Sequence, residues 1–388
     1  MELPTILHLD ADAFFVSCEL AKDPSLRGKA CAVGGAERGI ISSASYEARA
    51  RGVYTPMPTR KALQVCPELI LLRHTRGLYG EVSRRMFELC ERVTPIVQRN
   101  SIDEGYLDLS PCGLRTEPQI EAAARALQAE IWEKLQIPVS LGIARNKMVA
   151  QIASKLRKPR GFVVVPPGKE AAFLAPLSIG RLPGVGVKTE AALAAQGIRF
   201  VQDLFSRTES ELAAILGEGW REMLARARGE DERQVETAEQ AAKSYSEQVT
   251  FPRDVGDPTE VERVAKGMVD ELMAKVRSDG ARVRTLTVKV RYPDFTHESH
   301  AHTLDSATDI EAPFYPLVGP LLRAAWRKRR PLRLVSVKLS GVDPGPAQLE
   351  MFAQADEKRR RLAGVLDRLN RGGKDSVVTR GHQLGRPT

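Results

Sequence analysis

Cysteine is scarce here and carries no pattern. Cys18, Cys31, Cys66, Cys90 and Cys112 are odd in number, form no C-x-x-C pair and leave the rest of the chain without a thiol. That excludes a disulfide framework and a cysteine zinc site. It predicts reduced thiols buried as small hydrophobes in a cytoplasmic compartment. No run approaches the ~18 consecutive apolar residues of a membrane span, so no membrane role is expected. Met1 to Phe15 lacks a basic leader and carries Asp10 and Asp12 inside its apolar run, so no secretory signal is expected either. No internal repeat is evident.

What is present is the mix of a soluble globular chain, 43% hydrophobic and 28% charged. At roughly 100–200 residues per domain, the 388 residues predict two to four domains. Lys and Arg number 58 against 49 Asp and Glu, a net charge of +9. A basic surplus suits a polyanionic partner, nucleic acid being the commonest. A solvated charged surface fits the same number.

Periodicity supplies the elements. Ile6 to Asp10 reads as a strand that runs into a helix through Leu20. Leu26 to Val33 and Ile40 to Ser43 read as strands, and Tyr46 to Arg51 and Thr59 to Cys66 as short helices. Val82, Met86, Leu89 and Val93 give helical spacing over Leu78 to Val93. Two strands, 96–100 and 105–109, flank the turn Ser101-Ile102-Asp103-Glu104. A helix (120–135), a strand (139–143), a helix (147–156) and a strand (162–165) complete an α+β pattern with a mixed or antiparallel sheet. After Pro166-Pro167-Gly168 the text is helical to Gly229, and the polar stretch to Lys243 reads as a linker. A second α+β domain follows, with helices over 260–276 and 313–326 and strands over 283–291 and 332–339. In its first strand Leu286, Val288 and Val290 are expected inside, with Val283, Thr285, Thr287, Lys289 and Arg291 outside. A Pro/Gly segment, a charged helix (356–370) and a disordered end are expected last.

Two acidic clusters carry the sharpest chemistry. Asp10 and Asp12 end the first strand, and Asp103 and Glu104 sit in the hairpin turn. Adjacent carboxylates repel, and a divalent cation relieves them; Mg²⁺ favours a few carboxylates together with phosphate oxygens and water. Two such ions assist in-line phosphoryl transfer. Acidic residues also favour turns for local reasons, which leaves either cluster alone open. Tyr46 and Arg49 share one helix face and suit triphosphate oxygens, though a surface stack would look the same. Lys158 lies in a basic turn after a helix. Leu182-Pro183-Gly184-Val185-Gly186-Val187-Lys188 before a helix matches a helix-hairpin-helix signature, in which backbone N–H groups meet a DNA phosphate. Arg282, Arg284, Lys289 and Arg291 interleave with a predicted strand, either as a stripe for duplex phosphates or as a solvated face. Gln348-Leu349-Glu350-Met351-Phe352 exposes apolar side chains in a polar context, to dock on the protein itself or in a partner's pocket.

Taken in order, these motifs resemble those of the Y-family translesion DNA polymerases, most closely the DinB type. The resemblance runs from about Ile6 to Val342. It rests on His8-Leu9-Asp10-Ala11-Asp12-Ala13-Phe14-Phe15, on Ser45-Tyr46-Glu47-Ala48-Arg49, on Ser101-Ile102-Asp103-Glu104-Gly105-Tyr106-Leu107-Asp108, and on Asn146-Lys147, Ala153-Ser154 and Lys158-Pro159. It implies a multidomain α+β right hand: a palm (1–10 and 75–165), small fingers (11–74), a helix-hairpin-helix thumb (166–234), a linker (235–243), an α+β little finger (244–344) and a tail (345–388). It implies an error-prone, template-directed polymerase without proofreading that joins dNMP to a primer 3′-hydroxyl with two Mg²⁺ ions. Asp10, Asp103 and Glu104 are then the metal ligands, assisted by the Ala11 carbonyl. Phe15 is the steric gate against ribose, and Tyr46, Arg49 and Lys158 hold the triphosphate. Ser42 and Pro56 cover the templating pair. Gly184, Gly186, Lys188, Arg282, Arg284, Lys289 and Arg291 meet the DNA backbone. Gln348, Leu349, Met351 and Phe352 dock on a sliding clamp.

The residues support lesion bypass on physical grounds. Fingers of about 60 residues are too small for a large closing lid, and Ser42, Ser43 and Ala44 leave the pocket roomy. A roomy pocket rejects mispairs poorly. A backbone-only thumb grip implies low processivity, which a clamp peptide offsets through effective concentration. Gly105, where relatives often carry Ala, is expected to matter little. A monomer in the cytoplasm acting on primer-template DNA and dNTPs is expected. The alternatives are a catalytically silent scaffold, a partner-dependent UmuC-like subunit and a two-metal nuclease; the intact carboxylates and the gate oppose the first and the last.

Overall fold

Strand β1 (Ile6–Ala11) alternates apolar and polar side chains, and that alternation organises the first half of the molecule. The structure, a computed structural model, describes residues 3–36, 38–238, 241–328, 330–343, 354–370, 378 and 380–381. It divides into two compact units between residues 239 and 240. Among the described residues no helix is long and apolar enough to cross a membrane. All five cysteines are free thiols, four of them buried.

In the first unit β1 leads into α1 (Phe14–Lys22). A small sheet follows, built from β2 (Cys31–Gly34), β3 (Ile40–Ala44), β4 (Met57–Pro58) and β5 (Ile70–Leu72) in the order β4-β3-β2-β5. Helices α2 (Tyr46–Ala50) and α3 (Thr59–Val65) pack on it over a core of small side chains such as Ala32, Ala44, Ala48 and Ala62. Then come α4 (Leu78–Val93), β6 (Val97–Arg99), β7 (Glu104–Asp108), α5 (Glu117–Leu135), β8 (Val139–Ala144), α6 (Lys147–Leu156) and β9 (Phe162–Val164). Their strands join β1 in a sheet of order β6-β7-β1-β8-β9, with β1 antiparallel to both neighbours.

The two faces of that sheet have opposite tasks. Leu7, Leu9, Leu107, Val139, Leu141 and Ile143 point into the main core with α4 and α5. Pleating puts the alternate residues, His8, Asp10, Glu104, Tyr106, Ser140 and Gly142, on the other face. Helix α6 begins where the Asn146 side chain caps the Val149 N–H at 3.0 Å. It rests directly on Gly142, where a Cβ would overlap the Ala150 carbonyl and the Ser154 N–H. The missing side chain lets the helix bring Ser154 and Lys155 over the polar end of the sheet.

Helices α7 (Glu170–Leu174), α8 (Val187–Ala195), α9 (Glu209–Leu216) and α10 (Trp220–Ala227) close the first unit. Leu174, Leu193, Leu212 and Met223 share a core with Met148 and Ile152 of α6. Asn146 Nδ2 donates to the Gly229 carbonyl at 2.7 Å, and Asp231 accepts from the Met148 N–H at 2.9 Å, so the chain just after α10 is tied to the start of α6.

The second unit runs β10 (Ser244–Val255), α11 (Pro258–Ser278), β11 (Val283–Arg291), β12 (His297–Thr308), α12 (Tyr315–Ala325), β13 (Leu332–Ser340) and α13 (Gln354–Asn370). Its antiparallel sheet has the order β10-β13-β11-β12, and α11 and α12 cover one face. Two strands of this sheet, β10 and β12, are absent from the periodicity reading. Both lie at sheet edges, and β12 is half-exposed or exposed throughout, so no apolar alternation marks it. Val283 is a correction of another kind. A register shift between Val283 and Thr285 turns it inward, where it is fully buried. The tail helix α13 is also part of this unit: Asp367 meets Arg277 of α11 at 2.7 Å, and Arg360 meets Asp309 at 2.8 Å.

Candidate active site

The polar face of the first sheet ends in a ring of charge. Asp10 on β1 and Glu104 on β7 are direct cross-strand partners, so their carboxylates face the same way at the same level. Two lysines separate them. Lys158 Nζ contacts Asp10 Oδ1 and lies 3.5 Å from Asp12 Oδ1. Lys155 Nζ lies 3.0 Å from Glu104 Oε2 and 3.9 Å from Asp10 Oδ2. Asn100 donates to the other Glu104 oxygen at 3.0 Å.

Asp103 belongs to the hairpin turn. Its carbonyl accepts from the Ala11 N–H at 2.9 Å, which stitches the turn to the end of β1. Its carboxylate accepts from the Ser101 hydroxyl, which in turn accepts from the Asp103 and Glu104 N–H groups at 3.2 and 3.1 Å. Gly105 follows, and it is not interchangeable with alanine. A Cβ there would stand 2.7 Å from both the Gln98 carbonyl and the Phe87 ring, so β6 or α4 would have to shift beside Glu104. The expectation of little effect at this position is therefore corrected.

Asp12, which the sequence reading paired with Asp10, has a separate role. It is fully buried. It accepts from the Arg160 N–H at 2.7 Å, from Ser140 Oγ at 2.9 and 3.0 Å, and from the Tyr46 hydroxyl at 3.3 Å. Helix α2 starts where Ser45 caps the Ala48 N–H at 3.2 Å, which fixes Tyr46 and Arg49 on one face. The Arg49 guanidinium lies 5.0 Å from the Tyr46 ring centre, and its Nε donates to the Ala44 carbonyl at 3.0 Å.

A cavity of 180 Å³ opens above these groups. Asp10, Ala11, Phe15, Ser42, Arg49, Asp103 and Lys158 all line it, which draws together residues as far apart in the chain as Asp10 and Lys158. Tyr46 reaches Asp12 instead of the cavity wall. Pro56 does not line it; its neighbour Thr55 does. The Phe15 ring is braced from behind by Tyr79 at 4.5 Å and His74 at 5.1 Å between centroids. Tyr79 donates to the buried Glu19 carboxylate at 2.7 Å.

Electrostatics follow from burial. Burial pushes the Asp10 carboxyl up to about 6, against the pull of Lys158 and Lys155. Burial also acts upward on Glu104, but the Lys155 hydrogen bond and charge, with Asn100, hold it below the usual carboxylate range. Burial above all drives His8 down to about 3, so it is neutral, and its contact with Glu104 at 3.9 Å is not an ion pair. Its Nδ1 is hydrogen-bonded to Ser154 Oγ at 2.8 Å. Among the described residues no three carboxylate, imidazole or thiolate groups form a ready cage for an ion. The oxygen-only donors that do converge suit a hard cation that keeps water and phosphate ligands.

The remaining predicted residues lie elsewhere. Gly184 takes φ +89°, and Arg226 of α10 lies where its Cβ would be, donating to the Pro183 carbonyl at 2.8 Å. Gly186 precedes α8 with open space around it, and Lys188 is exposed. In the second unit, Lys289 and Lys338 line a shallow groove on the uncovered sheet face with Ser246, Thr287 and Ser336. Arg284 is exposed and Arg291 half-exposed, while Arg282 is paired with Asp343 at 2.6 Å. Gln348, Leu349, Met351 and Phe352 fall outside the described residues. Sequence reading missed Lys155, the bracing of Phe15 by Tyr79 and His74, and Arg226. Only Lys155 had a signal, its place three residues before Lys158 at the end of a predicted helix.

Comparison with known proteins agrees with this geometry. The impB/mucB/samB family profile matches residues 9–155, and the profile of that family's C-terminal domain matches 242–351. The chain is 67% identical over 387 residues to DNA polymerase IV of Opitutus terrae, covering 100% of this chain and 99% of that one. It is 38% identical to DNA polymerase IV of Methanoculleus marisnigri, over 88% and 95% of the two chains. Among solved structures, the Y-family DNA polymerase chimera Dbh-Dpo4(243-245)-Dbh superposes with a TM-score of 0.80 at 28% identity, over 88% of this chain and 99% of that one. The insertion ternary complex of Dbh DNA polymerase gives 0.63 at 28% identity, over 86% and 98%.

The raised carboxyl of Asp10 has a measurable cost. Its folded pKa of about 6 exceeds the unfolded value of ~3.9, so the folded state binds the proton more tightly. Stability from this group is full below pH ~4 and is lost as the pH rises toward 6. In a chelator, Asp10→Asn should therefore stabilise the protein by about 1–3 kcal/mol at pH 7.5, and by little at pH 4. Denaturant melts at the two pH values check this; an equal gain at both would refute the burial account.

Proposed function

The chain belongs to the impB/mucB/samB family, the Y-family DNA polymerases, and from that premise we propose how its residues carry out synthesis across damaged DNA. It is a translesion DNA-directed DNA polymerase with the α+β right-hand fold of that family. The primer 3′-oxygen bonds to the α-phosphorus of a dNTP as the bond to pyrophosphate breaks. The sheet of β1 and β6–β9 with α4–α6 acts as the palm, the small sheet of β2–β5 as the fingers, α7–α10 as the thumb and the second unit as the little finger. In numbers, the boundaries are 1–10 and 75–165, 11–74, 166–234 and 244–344, with a linker at 235–243.

Asp10, Asp103 and Glu104, with the Ala11 carbonyl, would hold two Mg²⁺ ions. The donor set fits, because every donor is an oxygen and the carboxylates already gather cations around them. When bound, the ions supply a lowered pKa for the 3′-hydroxyl and neutralise phosphate charge. Lys158 and Arg49 take the triphosphate from two sides of the cavity, and Tyr46, hydrogen-bonded to Asp12, completes the grip. Phe15 lies under the sugar and excludes a 2′-hydroxyl. Ser42 and Pro56 cover the templating pair. Such a wall of small side chains constrains base shape weakly, so synthesis is error-prone.

Duplex DNA is gripped by its backbone. Gly184 and Gly186 expose N–H groups beside Lys188, and Arg284, Lys289 and Arg291 carry positive charge on the second unit. Arg282 spends its charge on Asp343. Gln348, Leu349, Met351 and Phe352 dock on a sliding clamp, which compensates for a weak grip. The protein works as a monomer in the cytoplasm.

The observation that carries this reading is the cavity where Asp10, Asp103, Phe15, Arg49 and Lys158 converge. Primer extension with Mg²⁺ and dNTPs tests it. The wild type should extend a primer distributively, and Asp103→Ala with Glu104→Ala should lower the rate at least a thousandfold with DNA binding retained. No extension by either protein would favour a silent scaffold or a missing partner, and loss of primer ends without dNTP a nuclease. Phe15→Ala should raise ribonucleotide incorporation at least tenfold relative to dNTP; an unchanged ratio would refute the gate. Deleting 348–352 should abolish stimulation by the clamp and leave basal extension intact. Stimulation that survives the deletion would refute the clamp peptide.

A further inference from the structure

Lys158 has a destination once a nucleotide arrives, since a triphosphate can replace Asp10 as its partner. Lys155 has none assigned. Its ammonium nevertheless sits where a metal's charge is needed, 3.0 Å from Glu104 Oε2 and 3.9 Å from Asp10 Oδ2. The two lysines divide the oxygens of Asp10 between them, Lys158 on Oδ1 and Lys155 toward Oδ2.

We propose that Lys155 is a tethered counter-ion that neutralises the metal-binding carboxylates until the divalent ion enters, and so raises the concentration of ion needed to fill the site. The assignment rests on Asp10 and Glu104 being metal ligands. Helix α6 supplies the tether, held close to the sheet by Gly142. The side chain is 39% exposed, so its head can swing into water when a divalent ion takes its place. An ion with two charges outcompetes an ammonium with one, but it must first displace it. In the absence of nucleotide both lysines oppose entry. A nucleotide brings phosphate oxygens as further ligands and draws Lys158 away, which leaves Lys155 as the remaining competitor. The arrangement favours arrival of the metal together with the triphosphate over a site filled in advance.

Binding of Mn²⁺ to the full chain, followed by the electron paramagnetic resonance of the free ion without DNA or nucleotide, tests this without reference to activity. Lys155→Gln should bind Mn²⁺ about three- to tenfold tighter than wild type, and the gain should shrink at high salt. Lys155→Arg keeps the charge and should bind like wild type. Lys134→Gln removes an equal charge from a surface pair with Glu130 and should change nothing. Asp10→Asn should weaken binding at least tenfold. If Asp10→Asn binds Mn²⁺ like wild type, the ligand reading fails, and the proposal with it. If Asp10→Asn weakens binding and Lys155→Gln leaves it unchanged or weaker, only the counter-ion role of Lys155 is overturned. A gain in Lys134→Gln equal to that in Lys155→Gln would overturn it too, as an effect of net charge alone.

Discussion

A carboxylate with no access to water must be satisfied by its neighbours, and Asp12 is the carboxylate on which this site depends. It draws a backbone N–H from Arg160, a hydroxyl from Ser140 on β8 and a phenol from Tyr46 on α2, with Lys158 at 3.5 Å. Those groups come from three separate stretches of chain. Leaving a buried charge short of partners costs several kcal/mol, so the stretches are held in register by the need to satisfy it. The placement of Tyr46 against Asp12 and of Lys158 at the cavity follows from a demand at the end of β1.

Next to it, Asp10 answers the same problem in the opposite way. It is less buried, its partners are two lysine side chains that can leave, and its carboxyl is pushed up to about 6. The two aspartates stand two residues apart, yet one is locked into the fold and the other is kept exchangeable. Ionised Asp10 is a liability for stability at neutral pH. In the proposed assignment it is retained in a polar ring where a cation would turn the liability into binding. On that assignment, exchangeable charge set against a fixed buried network would let the site accept ions and phosphates without rearranging its frame.

Much of this was legible in the sequence wherever one local pattern decides the structure. The alternation in Ile6-Leu7-His8-Leu9-Asp10 sorts the two faces of the first sheet, and the polar turn before Gly105 marks the hairpin that carries Asp103 and Glu104. Long amphipathic helices such as α4 and α5 follow from their spacing. What escaped is set by contacts distant in sequence. Strand β12 exists through hydrogen bonds to β11, with no buried face to write a pattern. Val283 is turned inward by a bulge. The intolerance of Gly105 to a side chain comes from Phe87 and the Gln98 carbonyl, which a chain read one position at a time does not juxtapose. Lys155 reads as one more charged residue on a helix, and only the approach of α6 to Gly142 carries it to the carboxylates.

The cavity itself is asymmetric, and the asymmetry bears on selectivity. Behind Phe15 stand two aromatic rings, and Glu19 fixes one of them through the Tyr79 hydroxyl and the Thr75 side chain at 2.7 and 3.0 Å. A ring braced in this way has little room to retreat, so in the proposed assignment its steric test at the sugar is strict. Across the cavity Ser42 and Ser43 of β3, with Thr55 just before β4, present short side chains beside a small sheet whose core is half alanine. That wall has neither the bulk nor the backing to test the shape of a base pair. In the proposed assignment, one pocket therefore combines a firm choice of sugar with a loose choice of base. Both properties come from what stands behind each wall as much as from the residue that lines it. A polymerase that must copy damaged bases needs the second without giving up the first, and the packing supplies them separately.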